Sequence, residues 1–326
     1  MNWSRDLSEM NEINDVKVKI NKLMFSATDC FIKDNATPDK QLIPCNMAIG
    51  TVSEVFNSSS SRFSRMERVV IEPFIPCNDC RFCKRSQHTD CIAKQSLGIN
   101  SDGLLRDFIS LPHSCLYSVP EVVTANDAIL TPALSLALNI LDKIALEKGE
   151  HLAVFGGGIM GVILACLANY YQAMPIFVES DEEIIKTALG KNVFYTFNNQ
   201  KEDVTQKVFS ITGGRKCEKV VYLSDGKLPV SLALENCAQN GIFCVYSIHH
   251  QDLHLPMSYV VQNNLTINSV ENCFGNFPTA LNLLTKNIVK FDDFASKELP
   301  FASLDQTLPE VTEGQTLREN VIIKCE

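Results

Sequence analysis

Residues 151–161 read HLAVFGGGIMG, in which an apolar run is followed by three consecutive glycines and then by a fourth glycine. Gly156, Gly158 and Gly161 form the pattern G-x-G-x-x-G. The apolar residues before the glycines predict a buried strand, and those after them predict a buried helix. The pattern is therefore placed at a strand-to-helix turn, which is the setting in which it binds a dinucleotide.

The residue types at this turn match the requirements of a pyrophosphate group. A first glycine allows the tight turn, a second lets the phosphates approach the backbone, and a third lets the helix pack against the strand. The helix N-terminus attracts the negative charge of the phosphates. We expect the cofactor contacts at Gly156, Gly158, Ile159, Met160 and Gly161. The alternative is that the glycines serve only a compact turn.

Glu179 follows Gly161 by eighteen residues and ends the next predicted strand, Pro175–Glu179. A carboxylate at this position accepts hydrogen bonds from the hydroxyl groups of the adenosine ribose. The residues that follow, Ser180–Glu183, add three more acids and neither Arg nor Lys. These acids would repel a 2′-phosphate, so the sequence favours NAD over NADP as the cofactor.

The alternation of strands and helices around this turn predicts an α/β fold. Predicted helices cover Leu134–Leu146, Ile159–Tyr171 and Asp181–Leu189, and predicted strands cover His151–Phe155, Pro175–Glu179, Lys219–Leu223, Gly241–Ser247 and Leu265–Val270. Such alternation is typical of a parallel sheet with helices on both faces. The rest of the chain has short β-type runs at Val16–Ile20, Ala48–Val55, Arg68–Ile71, Leu104–Ser110 and Asn320–Lys324, with a predicted turn at Ser58–Ser61.

Composition excludes several classes of protein. The chain has 326 residues, of which 45% are hydrophobic, and this suits about two globular domains. Its net charge of −9 disfavours nucleic acid as a partner. Leu152–Val178 lacks charged residues, but its glycines and Pro175 predict a strand, a turn and a helix rather than a membrane span. Residues 1–16 carry four acids and no apolar core, so we expect no signal peptide and a cytoplasmic location.

Four of the 13 cysteines are clustered in the first half of the chain. Cys77, Cys80, Cys83 and Cys91 have the spacing C-x2-C-x2-C-x7-C. Four thiolates this close together suit a tetrahedral zinc ion whose coordination positions are all filled. Such a zinc stabilises a lobe and performs no chemistry. The alternatives are free surface thiols or a redox pair at one C-x-x-C.

The glycine turn and the cysteine spacing together resemble those of the zinc-containing medium-chain dehydrogenase/reductase family, which includes alcohol, sorbitol and threonine dehydrogenases. Asp127–Pro132 also resembles the segment that leads into the cofactor domain of that family. The resemblance implies a β-rich, GroES-like catalytic domain at residues 1–133 and 272–326, with a zinc lobe at 77–91. It implies a Rossmann domain with a doubly wound parallel sheet at 134–271. It also implies an NAD-dependent oxidoreductase with a small-molecule substrate, assembled as a homo-oligomer.

The catalytic zinc ligands of that family do not carry over to this sequence. The family pattern C-G-[ST]-D corresponds to residues 26–29, SATD, so Ser26 replaces the ligand cysteine. At the G-H-E motif, Asn46 replaces the histidine and Met47 replaces the glutamate, and a later ligand position holds Thr131. Hydroxyl and amide groups are poor zinc ligands beside thiolate, imidazole and carboxylate. The resemblance thus implies a structural zinc without a catalytic one.

Without a catalytic zinc, other groups must stabilise the charge that develops on a substrate oxygen. Ser26 and Thr28 are the candidate hydroxyl donors, since Thr28 matches the proton-relay position of the family, and Asn46 is the candidate that orients the substrate. Cys30 and Cys45 are near the lost ligand positions and would be the ligands of a rebuilt zinc site. The other interpretation of these two cysteines is that they are ordinary buried residues.

Three functions agree with these patterns. The first is an NAD(H)-dependent oxidoreductase that keeps only the structural zinc. The second is a non-catalytic nucleotide-binding or scaffold member of the family, because a fold does not establish an activity. The third is an enzyme with a rebuilt zinc site at Cys30 or Cys45. The first two predict one zinc ion per chain, whereas the third predicts two.

Overall fold

The computed structural model describes residues 15–26, 29, 42–56, 62–224, 228–247, 253–271, 273, 275–290, 297–301 and 321–325. The chain forms two compact units. The first consists of Met1–Ser135 together with Cys273–Glu326, and the second consists of Leu136–Asn272. The predicted turn at Ser58–Ser61 lies outside the described residues.

Strands and helices are numbered along the chain. The strands are β1 Val16–Phe25, β2 Met47–Val55, β3 Arg68–Ile71, β4 Phe74–Ile75, β5 Gln95–Ser96, β6 Phe108–Leu111, β7 Leu116–Ser118, β8 His151–Gly156, β9 Met174–Glu179, β10 Tyr195–Asn198, β11 Cys217–Ser224, β12 Cys237–Ser247, β13 Thr266–Ser269, β14 Lys297–Pro300 and β15 Val321–Lys324. The α-helices are α1 Ala125–Ala128, α2 Thr131–Lys143, α3 Ile159–Tyr170, α4 Glu182–Gly190, α5 Val204–Ile211, α6 Val230–Glu235, α7 Met257–Gln262 and α8 Phe277–Thr285.

The first unit is built on a seven-stranded sheet in which β1 is central. Along one side β1 pairs with β2, and along the other its first half pairs with β6 and its second half with β15. Val16, Val18 and Ile20 are fully buried in the core of this unit. They alternate with half-buried lysines, as the apolar and charged pattern of this run predicts.

A glycine lets β1 and β2 approach each other closely. A Cβ atom on Gly50 would lie 2.4 Å from the side chain of Val18 and 2.5 Å from the carbonyl oxygen of Lys19. Because real Cβ contacts are not this short, any side chain at position 50 would force the two strands apart. This contact fixes the path of β2, and therefore of the segment that precedes it.

The predicted strand Leu104–Ser110 is wrong in its first half. The strand β6 begins only at Phe108. The backbone N–H groups of Leu104 and Leu105 instead donate to the carbonyl groups of Cys45 and Pro44, at 2.8 and 3.1 Å. These residues are buried like those of a strand, but they hold the loop before β2 rather than extending the sheet.

The second unit has a six-stranded parallel sheet in the order β10-β9-β8-β11-β12-β13. Counted from β8, this is the order 3-2-1-4-5-6 of a doubly wound Rossmann sheet, which confirms the predicted α/β class. All six residues of β8 are buried, because the strand is central and covered on both faces. In such sheets ligands bind at the carboxyl ends of the strands where the order reverses, and here that point follows β8.

Helix α2 differs from the prediction at both ends. It covers Thr131–Lys143, three residues earlier at each end than the predicted Leu134–Leu146. Proline favours the first turn of a helix, and Pro132 is the second residue of α2. Ala145 has a left-handed φ of 46°, so the apolar residues after Lys143 do not continue the helix.

The uncharged stretch Leu152–Val178 forms most of β8, all of α3 and most of β9. The interpretation as strand, turn and helix is therefore correct for this segment. Among the helices within the described residues, none has the length and apolar character that a membrane crossing requires.

Candidate cofactor and metal sites

The turn between β8 and α3 has a backbone that strongly favours glycine. Gly156, Gly157 and Gly158 have φ values of 73°, 83° and 54°, all in the left-handed region. Helix α3 begins directly after them, and Gly158 is its N-cap without a capping side chain. The positive end of the α3 dipole therefore favours an anion at this turn, although the amide of Met160 already donates to the carbonyl oxygen of Gly157 at 3.0 Å.

The space around each glycine differs, and it assigns each one a separate role. A Cβ atom on Gly161 would lie 2.3 Å from the carbonyl oxygen of Gly156 and 2.6 Å from the ring of Phe177, so this glycine lets α3 pack on the sheet. A Cβ atom on Gly157 would lie 2.4 Å from Leu223. At Gly158 nothing lies within 4 Å of that position. Gly158 is thus the glycine that a ligand can approach, and Gly157, absent from the predicted set, is constrained as tightly as Gly161.

Glu179 ends β9 beside this turn, because β9 pairs with β8 in parallel. Its side chain is buried, and Oε2 accepts a hydrogen bond from the backbone N–H of Gly158 at 3.1 Å. The other carboxylate oxygen, Oε1, accepts from the backbone N–H of Ser180 at 2.7 Å and from its hydroxyl group at 3.2 Å. The acid predicted to contact the ribose is therefore fixed within hydrogen-bond distance of the glycine turn.

The acids that follow Glu179 pair with two lysines, of which Lys186 contacts Glu183 at 2.6 Å. Glu182 accepts from Asn198 at 2.6 Å and pairs with Lys201 at 2.8 Å. The hydrogen bond with Lys201 lowers the pKa of Glu182, followed in effect by that with Asn198. The sequence around Glu179 gave no sign of Lys201, because this residue comes from the segment after β10. Its charge is already paired with an acid.

The four cysteines of the predicted zinc lobe come together in the structure. Their sulfur atoms all lie within 4.8 Å of one another, with 3.9 Å between Cys77 and Cys83 and 4.0 Å between Cys80 and Cys91. A tetrahedral zinc with Zn–S bonds of about 2.3 Å requires sulfur atoms about 3.8 Å apart. The cluster therefore fits a zinc ion with only small adjustments.

The backbone of the lobe prepares these cysteines for a cation. The backbone N–H groups of Cys77 and Cys80 donate to the sulfur atoms of Cys91 and Cys77, at 3.3 and 3.4 Å. A further backbone hydrogen bond, from Cys83, lowers the pKa of Cys80 to about 6. Such bonds favour the thiolate form, which is the form that binds metal.

The segments that carry the lost zinc ligands are joined by Asp29. Its carboxylate is buried, and Oδ2 accepts from both the backbone N–H and the hydroxyl group of Ser26, at 2.8 Å each. The other oxygen, Oδ1, accepts from the backbone N–H of Cys45 at 2.8 Å. Burial raises the pKa of Asp29, against the hydrogen bonds, which lower it. Thr28 and Cys30 lie outside the described residues.

The other ligand positions hold groups that are poorly suited to zinc. Asn46 and Met47 are half-buried at the start of β2. Thr131 is buried, and its hydroxyl group donates to the carbonyl oxygen of Ala128 at 2.6 Å. Cys45, which replaces the glycine of G-H-E, has a left-handed φ of 74° and a buried side chain. Across the part of the chain that the structure describes, three or more metal-binding side chains meet only in the four-cysteine lobe.

Comparison with known proteins agrees with this architecture. Residues 12–121 match the alcohol dehydrogenase GroES-like domain. The chain is 24% identical to an uncharacterized zinc-type alcohol dehydrogenase-like protein of Haemophilus influenzae over 302 residues, which cover 92% of this chain and 88% of that protein. It is 21% identical to sorbitol dehydrogenase of Bacillus subtilis over 276 residues, which cover 84% of this chain and 77% of the enzyme.

Solved structures share the fold over almost the whole chain. The alcohol dehydrogenase TADH of Thermus sp. ATN1 superposes with a TM-score of 0.88 at 19% identity, covering 98% of this chain and 95% of the enzyme. Galactitol-1-phosphate dehydrogenase of Escherichia coli superposes with a TM-score of 0.87 at 18% identity, covering 98% and 95%. Through its GroES-like domain, its Rossmann sheet and relatives that match most of its length, the chain is similar to zinc-type alcohol dehydrogenases of the medium-chain dehydrogenase/reductase family.

Proposed function

We propose that the protein is an NAD(H)-dependent oxidoreductase that acts on a small molecule and uses a structural zinc but no catalytic zinc. The observation that carries the proposal is the hydrogen bond between the Glu179 carboxylate and the backbone N–H of Gly158. It joins the group expected to bind the ribose with the turn expected to bind the pyrophosphate. We also propose the domain division of residues 1–133 with 272–326 and 134–271.

The cofactor would be held by residues of β8, α3 and β9. Gly156 and Gly158 would let the pyrophosphate approach, the amide of Ile159 would face it, and Gly161 would keep α3 against the sheet. The amide of Met160, the other expected contact, donates to the carbonyl oxygen of Gly157 at 3.0 Å and would have to leave it to reach the phosphates. A nicotinamide cofactor held there would supply or accept the hydride of a redox reaction. The residues of the chain bind and orient the reactants and handle the proton.

The charges around Glu179 support NAD rather than NADP. A 2′-phosphate would bring its negative charge toward the buried Glu179 carboxylate, which has no cation among its hydrogen-bond partners. The nearest acids, from Asp181 to Glu183, add to this repulsion. Lys201 offers a positive charge, but its ion pair with Glu182 opposes any use of it for a phosphate.

The four-cysteine lobe would hold the structural zinc. Its sulfur separations match those of a tetrahedral site, and four protein thiolates leave no coordination position for a substrate. The zinc would therefore stabilise the lobe without entering the reaction. Removal of any one thiolate leaves three ligands and is expected to weaken the binding of the metal severely.

The segments of Ser26 and Asn46 do not fit a catalytic zinc. The hydroxyl group of Ser26 donates to Asp29, and the remaining ligand positions hold an amide, a thioether and a bonded hydroxyl group. We assign Thr28 as the hydrogen-bond donor to the substrate oxygen and Asn46 as the group that orients the substrate. Ser26, the other candidate donor, would have to leave Asp29 before its hydroxyl group could donate to the substrate. These groups would stabilise developing negative charge without a metal.

A non-catalytic, nucleotide-binding role is the second candidate. Its support is that Ser26 and Thr131 use their hydroxyl groups within the protein, at 2.8 and 2.6 Å from their acceptors. A rebuilt zinc site at Cys45 has less support, because this cysteine is buried and does not group with other metal-binding side chains of the described residues.

The first experiment is a fluorescence titration of the purified protein with NADH and with NADPH, together with a count of zinc per chain. The proposal predicts that NADH binds at least tenfold more tightly than NADPH and that each chain contains one zinc. The variant Gly158→Val is the control for binding at the glycine turn. Failure to bind either nucleotide would exclude the enzyme and the nucleotide-binding scaffold, and two zinc ions per chain would restore the third candidate.

The assembly is proposed to be a homo-oligomer formed through β13. Among the residues that the structure describes, this strand is an edge of the parallel sheet, with no strand along one side of its backbone. Ile267 on β13 and Met257 and Val261 on the preceding helix α7 are exposed apolar side chains. An apolar, exposed strand edge favours pairing with the same edge of a second copy.

A further inference from the structure

Six exposed apolar side chains belong to the amino ends of β9 and β10 and to the helix ends that precede these strands, and we call them the β10 patch. They are Tyr170, Tyr171, Met174, Leu189, Phe194 and Tyr195. Phe194 is 73% exposed, and the other five are between 37% and 45% exposed. The proposed cofactor site lies at the carboxyl ends of these strands, so it does not use the patch.

The two helices that contribute to the patch end in the same backbone motif. After α3, the backbone N–H of Ala173 donates to the carbonyl oxygen of Ala168 at 3.0 Å, and after α4, that of Val193 donates to the carbonyl oxygen of Ala188 at 3.1 Å. A hydrogen bond that reaches five residues back across a helix end is typical of the Schellman motif. Both loops that carry patch residues are therefore held by backbone hydrogen bonds.

A hydrogen bond and the strand pairing bring these segments together. The side-chain amide of Asn169, near the end of α3, donates to the carbonyl oxygen of Asn192, just after α4, at 3.0 Å. Tyr195 on β10 is paired with Ile176 on β9, and Met174 lies two residues before Ile176. Because side chains alternate along a strand, Met174 and Tyr195 are on the same face of the sheet. The patch is therefore one region of the second unit.

The composition of the patch is that of an interface between proteins. Residues 169–174 carry no charge, and in residues 188–199 the only charged residue is Lys191. The cores of protein interfaces are rich in Tyr, Phe and Met and poor in charged residues. A lipid surface would instead favour several basic side chains, and the net charge of the chain is −9. Without acids in the patch, a second copy of this acidic chain can approach it without repulsion.

The exposed apolar area of the patch is large enough for a contact between two copies. With their fractional exposures, and about 150–250 Å² for a fully covered aromatic side chain, the six side chains present about 500 Å² on each copy. Two copies that face each other through the patch would bury about 1,000 Å², which is the size at which specific protein interfaces begin. A monomer would leave this area in water.

We propose that the β10 patch is a second interface between copies of this chain, separate from the one proposed at β13. Within the described residues, β10 and β13 are the opposite edges of the parallel sheet. One chain can therefore use both interfaces at once, and two symmetric interfaces per chain give a tetramer rather than a dimer. This inference goes beyond the proposed enzymatic activity and does not depend on it.

The test is the mass of the purified protein by sedimentation equilibrium at micromolar concentration. Phe194→Asp places an acid in the patch of each copy, where a second copy would remove it from water. We expect a tetramer for the unmodified protein, about half that mass for Phe194→Asp and for Ile267→Lys, and a monomer for the double variant. Phe56→Asp makes the same change at a phenylalanine of the first unit that is 51% exposed, and it should leave the mass unchanged.

Leu189→Asp is the second patch variant, to be used if Phe194→Asp does not fold, and it should reduce the mass in the same way. A mass that neither patch variant changes would overturn the proposal and assign the patch to a different partner. A lower mass for Phe194→Asp with no effect of Ile267→Lys would support the patch and exclude the β13 edge. The reverse result would overturn only the patch, and a monomeric unmodified protein would overturn both interfaces.

Discussion

Asp29 holds together the two segments that carry the first of the replaced ligand positions. Its carboxylate accepts from two backbone N–H groups, those of Ser26 and Cys45, and from the Ser26 hydroxyl group. Asp29 matches the aspartate of the family pattern C-G-[ST]-D, and here its carboxylate joins the segments of Ser26 and Cys45. The contribution of this side chain to the free energy of unfolding can therefore be measured without knowledge of the substrate.

Replacement of Asp29 by Ala is expected to lower the free energy of unfolding by about 2–4 kcal/mol, because two buried N–H groups lose their acceptor. Ser26→Ala removes one donor and leaves the carboxylate with two, so its expected cost is about 1 kcal/mol. Urea denaturation at pH 7 measures both values. Equal stability of the two variants would show that the carboxylate does not join these segments.

Sequence reasoning reached part of this arrangement and missed the rest for a physical reason. The substitution of Ser26 was visible because the SATD stretch aligns with a short motif. Asp29 accepts from the backbone N–H of Cys45, which is sixteen residues away. Because almost any residue type can supply a backbone N–H, the sequence gives no sign of this hydrogen bond. The buried acid Glu72 gave only a weak signal, an acid directly after an apolar strand, because its hydrogen-bond partners Tyr117 and Gly275 come from distant parts of the chain.

At the level of elements, two glycines of the turn between β8 and α3 have different roles, since Gly161 serves packing and Gly158 is expected to serve binding. Gly161→Ala would place a Cβ atom 2.3 Å from the Gly156 carbonyl oxygen, and overpacking of this kind is expected to cost about 2–3 kcal/mol of stability. Gly158→Ala meets open space, so its cost is backbone strain of about 1–2 kcal/mol at a φ of 54°. Gly161→Ala should therefore be the less stable variant.

The affinity for NADH should distinguish the two glycines further. Gly158→Ala is expected to reduce this affinity more than tenfold, because its added methyl group occupies the space that the pyrophosphate needs. A thermal unfolding midpoint well above the temperature of the titration shows that the variant is folded. Unchanged NADH affinity in a folded Gly158→Ala protein would favour the alternative that the glycines serve only a compact turn.

Elements with local signals were predicted, and elements that depend on distant partners were not. The four-cysteine lobe and the β8–α3 turn use residues close in sequence, so spacing alone identified them. The strands β7, β10 and β14 are short and lie toward sheet edges, where only part of each strand is buried. The start of β6 was misplaced because Leu104 and Leu105 are buried by contacts with the loop before β2, which a local apolar pattern cannot reveal.

At the scale of the whole molecule, the exposed apolar side chains at strand β13 of the second unit favour self-association. Ile267 on β13 is 39% exposed, and Val261 on α7 is 74% exposed. A monomer would leave these apolar side chains and the free edge of the sheet in water. We therefore expect a dimer or a larger homo-oligomer, and analytical ultracentrifugation at micromolar concentration measures it.

The variant Ile267→Lys tests whether β13 forms the interface. A lysine on each copy would place like charges at the paired edges and remove them from water. We therefore expect Ile267→Lys to shift the protein toward monomer while each monomer stays folded. The matched control is Val122→Lys, since Val122 is 77% exposed in the first unit and outside this edge. An assembly that survives Ile267→Lys but not Val122→Lys would place the interface on the first unit. A monomeric unmodified protein would instead mean that the exposed edge of β13 is tolerated in water.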